Sequence, residues 1–112
     1  MPGHRSTSVD DETDLVVVTM VFDTTEPEPL AALLSRYVVL SRGDDGCRNI
    51  DLLVSALQPG RFTIIQKWDS PTVQRAHFDS PDMVAMAEAV GPLLSSAPRI
   101  ELHRAVSAHD LR

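Results

Sequence analysis

RFTIIQKWDSPTVQRAHFDSP, residues 61–81, carries the tripeptide Asp-Ser-Pro twice, ten residues apart. The single Trp of the chain, Trp68, stands just before the first copy, and His77 lies just before the second. Serine followed by proline is a helix-start signal. The serine hydroxyl accepts a first-turn N–H, and proline, having no N–H, fits the first helical position at little cost. Asp69 and Asp82 place negative charge near the same helix starts. The stretch therefore predicts a strand over 61–68, a short helix over about 71–78 and a second over about 81–94. Met83, Val84, Ala87, Val90 and Leu94 fall along one side of that second helix.

Outward from this stretch the other elements fall into place. CRNIDLLVSAL, about 47–57, is strand-like and is joined to 61–68 by the short turn QPG, which implies an antiparallel hairpin. DLVVVTMVFD, residues 14–23, is a strand apolar on both alternating sides: Val16, Val18, Met20 and Phe22 on one, Leu15, Val17 and Val21 on the other. The segment after it has Thr24 or Thr25 as a cap, and Leu30, Leu33, Leu34, Tyr37 and Val38 at helical spacing. Gly43, Asp44, Asp45 and Gly46 end that helix and turn the chain. RIELHRAV, 99–106, alternates as a fourth strand. The order β-α-β-β-α-α-β is that of a ferredoxin-like α+β domain with a four-stranded antiparallel sheet. It spans 14–106, between a disordered lead, 1–13, and a tail, 107–112. One sheet face takes the helices. Covering the apolar residues of the other calls for a second copy, hence a homodimer joined through the sheet faces.

Composition excludes several classes of function. The chain has 112 residues, 43% of them hydrophobic, and a net charge of −6. Its arginines are dispersed among acids, so it lacks the basic surface that nucleic acid requires. No apolar run approaches the ~20 residues that span a bilayer, and the N-terminus has no signal-peptide pattern. One cysteine, Cys47, permits no internal disulfide, and a cytoplasmic location follows as the simplest expectation. No metal-ligand spacing, glycine-rich phosphate loop or Cys-His pair is visible, so no cofactor is expected. Cys47 itself suits a small buried position.

DGCRNIDLLVSALQPGRFTIIQKWDSPTVQRAHFDSP resembles the antibiotic biosynthesis monooxygenase domain, a family of dimeric α+β barrels. The likeness rests on Gly46-Cys47, Trp68-Asp69-Ser70, Ala76-His77 and Ser80-Pro81, and it covers roughly 14–106. The resemblance implies a cavity between sheet and helices. It also implies, for some members, oxygenation of aromatic polyketides or handling of quinols without metal, flavin or haem. Haem-degrading members use an Asn, a Trp and a His where this chain has Thr19, His77 and Met86, so haem cleavage is disfavoured.

The candidate site follows. His77, whose side-chain type titrates near neutral pH, is the candidate base toward a phenolic proton. Trp68 is a candidate cavity wall with an N–H to donate. Gln66 shares the face of Ile64 and Trp68 and is a polar residue among apolar ones. Tyr37, on the buried stripe of the first helix, and Asn49, at the start of the second strand, are the remaining candidate substrate contacts. His103 alternates away from Leu102, toward the surface or a dimer interface. The expected function is a cofactor-independent monooxygenase acting on a small aromatic molecule or quinol. The alternative is a non-catalytic dimeric ligand-binding protein of the same fold.

Overall fold

In the computed structural model, which describes residues 14–108, both Ser-Pro pairs start helices. The hydroxyls of Ser70 and Ser80 accept the N–H groups of Val73 (3.3 Å) and Met83 (3.2 Å). The helices they open are α2, Pro71–Phe78, and α3, Pro81–Val90. The remaining elements are β1 (Val16–Asp23), α1 (Pro27–Ser41), β2 (Cys47–Val54), β3 (Arg61–Trp68) and β4 (Arg99–Arg104). The strands form one sheet ordered β2-β3-β1-β4, with every neighbouring pair antiparallel. This is the α+β ferredoxin-like arrangement expected from the element order.

The period-two pattern of β1 and β3 decides which face meets the helices. Val16, Val18, Met20 and Phe22 are buried, as are Phe62, Ile64, Gln66 and Trp68, while the residues between them are half-buried. Against that face α1 packs Leu30, Leu34, Tyr37 and Val38, and α3 packs Met83, Met86 and Val90. Each large apolar side chain so buried contributes roughly 1.5–3 kcal/mol. One end of the β1–β3 pair is fixed by a fork: Arg61 donates from Nε and Nη2 to the two carboxylate oxygens of Asp23 (2.7 and 3.2 Å), and Arg99 adds a third contact at 3.4 Å. These bonds, Arg61 first, hold the Asp23 carboxyl below its ordinary range.

Several boundaries differ from expectation. The N-cap of α1 is Glu26, not Thr24 or Thr25. Thr24 instead accepts the Glu26 N–H (2.8 Å) and donates to the Leu93 carbonyl (2.6 Å), tying the helix start to the segment after α3. β2 stops at Val54 because the Ser55 hydroxyl accepts the N–H groups of Leu57 and Gln58 and bends the chain. Gly60 closes that turn at φ 74°, where a Cβ would lie 2.1 Å from the Thr24 carbonyl oxygen. α3 ends at Val90 and continues as a single 3-10 turn over Gly91–Leu93, since glycine and proline do not prolong an α-helix. β4 ends two residues early, at Arg104. The predicted lead, 1–13, lies outside the described residues, as do His4 and His109.

Candidate functional site

The polar residues on the helix-facing side of the sheet form one hydrogen-bonded chain. Trp68 Nε1 donates to Gln66 Oε1 at 3.0 Å. Gln66 Nε2 donates to the Tyr37 hydroxyl at 2.6 Å. That hydroxyl lies 2.6 Å from His77 Nε2, and His77 Nδ1 lies 2.6 Å from Asp44 Oδ2. The imidazole also stacks on the Trp68 indole, with centroids 4.5 Å apart and planes 27° apart. Since Nδ1–H donates to the carboxylate, Nε2 of a neutral His77 is left to accept the Tyr37 proton. Trp68, Gln66, Tyr37 and His77 are all buried, and Asp44 alone reaches solvent.

Local sequence explains the placement. Alternation on β3 puts Gln66 and Trp68 on one face. The helical stripe of α1 brings Tyr37 over them, and the Ser70-Pro71 start sets His77 in the last turn of α2. Asp44 arrives from the loop after α1. Gly46 in that loop has φ 79°, and a Cβ there would come within 2.6 Å of Val73 on α2. Without a side chain the loop lies directly on α2 and aims Asp44 at His77.

Four of the five residues expected at the site are therefore together, and Asn49 is not. β2 carries a register shift between Cys47 and Asn49, so Cys47 pairs with Trp68 but Ile50, not Asn49, faces the helices opposite Gln66. Asn49 is exposed and donates to Asp51. Arg48 forms a surface ion pair with Asp69 at 3.2 Å. His103 lies on the far sheet face, 3.3 Å from the Thr19 hydroxyl. Cys47 is half-buried, and burial raises its thiol pKa, which disfavours a thiolate nucleophile. Two residues of the site went unrecognised in the sequence. Asp44 looks like an ordinary turn acid. Met83, whose sulfur lies 3.4 Å from the Tyr37 hydroxyl, looks like one more apolar residue of a helix stripe.

The cavities lie around this chain and not within it. A 370 Å³ cleft opens outside Asp44 and His77. A 220 Å³ groove runs between α1 and α3 over Tyr37 and Met86. A 100 Å³ apolar pocket lies between α3 and the sheet, walled by Met20, Phe22, Met83, Met86, Val90 and Ile100 among others. None of the three is lined by Trp68 or Gln66, which are buried within the polar chain.

Asp44 and His77 border the cleft, and Tyr37 is the member of the chain that meets the α1–α3 groove. Its ring lines the α1–α3 groove, and its hydroxyl touches Met83, a wall of the apolar pocket. Burial pushes its pKa up to about 12, opposed by the Gln66 N–H and reinforced by the Asp44 carboxylate. Tyrosinate is thus disfavoured near neutral pH. The arrangement suits a hydroxyl that hands one proton to His77 as it takes another. Among the described residues no group of three His, Cys, Asp or Glu side chains is placed to hold a metal ion, and no helix is long and apolar enough to cross a membrane.

A family model described as antibiotic biosynthesis monooxygenase matches residues 15–89. Among solved structures the chain is similar to the Mycobacterium tuberculosis protein Rv0793, at 26% identity and TM-score 0.80, covering 86% of this chain and 99% of that one. It also shares its fold with two proteins named as candidate antibiotic biosynthesis monooxygenases. The one from Caulobacter crescentus is 17% identical, with TM-score 0.79 over 91% of this chain and 99% of that one. The one from Deinococcus radiodurans is 22% identical, with TM-score 0.76 over 88% and 98%. No curated protein matches the chain.

Proposed function

The chain belongs to the antibiotic biosynthesis monooxygenase family, and from that premise we propose that it oxygenates a small phenol or hydroquinone without a cofactor, using the substrate's own electrons to reduce dioxygen. The observation that carries this reading is the hydrogen-bonded chain Tyr37–His77–Asp44, whose Tyr37 hydroxyl touches Met83, a wall of the apolar pocket under α3.

In the proposed reaction the ring lies in the pocket under α3 and its hydroxyl takes the place of the Met83 sulfur, a weak acceptor, beside Tyr37. The substrate O–H proton passes to the Tyr37 oxygen as the Tyr37 proton passes to His77 Nε2. Asp44 stabilises the imidazolium that forms. The phenolate gives one electron to dioxygen, and superoxide and phenoxyl radical combine at a ring carbon that bears a hydrogen, para to the hydroxyl in a phenol and ortho to it in a hydroquinone. His77 returns the proton to the resulting peroxide. Loss of water, formed from the distal oxygen, its proton and the ring hydrogen, leaves a quinone. One oxygen atom ends in the ring and one in water. The base assigned here to His77 thus acts through Tyr37, because His77 is buried with both ring nitrogens engaged.

The test is oxygen uptake with phenols, naphthols, hydroquinones and anthrones, followed by mass spectrometry of the product made under 18O2. One label in the quinone supports the reading. Unlabelled quinone with peroxide release, or no uptake, counts against it. A second reading, ligand binding without turnover, is favoured by the saturation of the polar chain: Trp68, Gln66 and His77 each already have partners. Tight binding of the same phenols with no oxygen uptake would select it.

The proposal includes a homodimer. The far sheet face presents Val17, Val21, Ile65 and Leu53 only half-covered or exposed. A second copy laid on that face would bury them. Sedimentation of Ile65→Lys against the parent chain reads this directly, the variant shifting to monomer.

A further inference from the structure

The chain has four methionines, and the three beyond Met1 — Met20, Met83 and Met86 — all wall the apolar pocket under α3. Methionine is unbranched, turns about three bonds and makes favourable contacts between sulfur and aromatic rings. A wall built from three of them is adaptable and suited to aromatic ligands. The pocket as it stands has 100 Å³, less than the roughly 150 Å³ that accommodates benzene in an engineered protein cavity. A ring does not fit unless a wall moves.

Met86 is the one residue that lines both this pocket and the α1–α3 groove. Ala85, Ala87 and Ala89 surround it on α3, so small neighbours flank its path into the groove. Swinging outward, Met86 would join the 220 Å³ groove to the 100 Å³ pocket, about 320 Å³ together and at the lower end of small-molecule sites. We infer that the pocket under α3 is a chamber for a single aromatic ring, entered from the α1–α3 groove, with Met86 as its movable wall. This deepens the functional reading above and rests on it for the identity of the ring. Two-ring substrates would extend into the groove, past Tyr37.

Xenon, read by 129Xe exchange NMR on the full chain, tests the chamber without phenol chemistry. Bound xenon is expected in the parent protein. Its exchange should quicken by about tenfold in Met86→Ala, a change of roughly 1.4 kcal/mol in barrier. It should slow severalfold in Met86→Leu, where a branched side chain of similar volume is stiffer. Met20→Leu, on the same wall but away from the groove, should leave the rate unchanged. If Met86→Ala does not fold, Met86→Leu carries the test, since Met and Leu interchange at small cost. Absence of bound xenon, or exchange in Met86→Leu equal to the parent, overturns the inference. The two readings separate cleanly. Xenon behaving as expected with no quinone formed keeps the chamber and removes the oxygenase, and quinone formation with xenon indifferent to position 86 does the reverse.

Discussion

Two ends of the same helix–sheet layer are built on opposite principles. At the Trp68 end the layer is polar and filled, with indole, amide, phenol, imidazole and carboxylate bonded in series. At the α3 end it is apolar, walled by methionines and incompletely filled. A buried polar chain has to be satisfied throughout, and once satisfied it fixes every rotamer it contains. A thioether wall has no such obligation and adapts to its contents. Tyr37 stands at the seam, its hydroxyl in the polar chain and its ring against the groove. A fixed proton acceptor beside an adaptable apolar pocket is the division of labour that the proposed oxygenation of a phenol needs. In that proposal orientation and desolvation substitute for a metal or flavin.

The contrast can be broken first at the polar end. His77→Ala is expected to lower the rate of quinone formation by about 10²–10⁴, the usual contribution of a general base, while xenon still enters the chamber. A fall in rate accompanied by loss of xenon would mean that the two ends are not independent.

Gln66→Leu is next. It leaves the Trp68 N–H buried without an acceptor and removes a donor from Tyr37. A loss of about 1–3 kcal/mol in urea unfolding is expected. A neutral result would show the polar chain to be slack.

The third follows from the raised Tyr37 pKa, and Tyr37 is the single tyrosine of the chain, so its ionisation is visible by absorbance. The folded protein holds the proton to about 12, whereas the unfolded chain loses it near 10.0. Between those values the native state binds more protons. The stability is therefore intact below pH 10 and is lost as pH rises toward 12. The loss amounts to the order of 2 kcal/mol, and Tyr37→Phe should lack it. Tyrosinate appearing near pH 10 without unfolding would contradict the buried, bonded hydroxyl.

The smallest effect is at the apolar end. Met83→Leu removes the thioether contact but keeps the volume, and should cost under about 1.5 kcal/mol. A larger loss would mean that the sulfur is a structural acceptor and not a place-holder for substrate.

The fold was legible because its signals are local. Two Ser-Pro caps, one turn and alternating strands fix seven elements without reference to distant contacts. Gln66 and Trp68 were legible as a pair for the same reason, and Tyr37 and His77 by their positions along helices. Asp44 was not, since the loop that carries it meets His77 across 33 residues and depends on the bare backbone of Gly46 against Val73. Asn49 was misplaced because strict alternation carries no sign of the bulge after Cys47. The pocket between α3 and the sheet is walled by Met20, Met83 and Met86 and not by Trp68. Whether side chains of one face fill a space is a matter of volumes, which residue spacing does not encode.

The most direct test of the whole account is the 18O content of the quinone made by the parent chain and by Tyr37→Phe, with binding of the same phenol measured on both. One labelled oxygen is expected from the parent, and a rate about a hundredfold or more lower in Tyr37→Phe, with phenol binding retained. Equal rates in the two proteins, or a product without label, would contradict it.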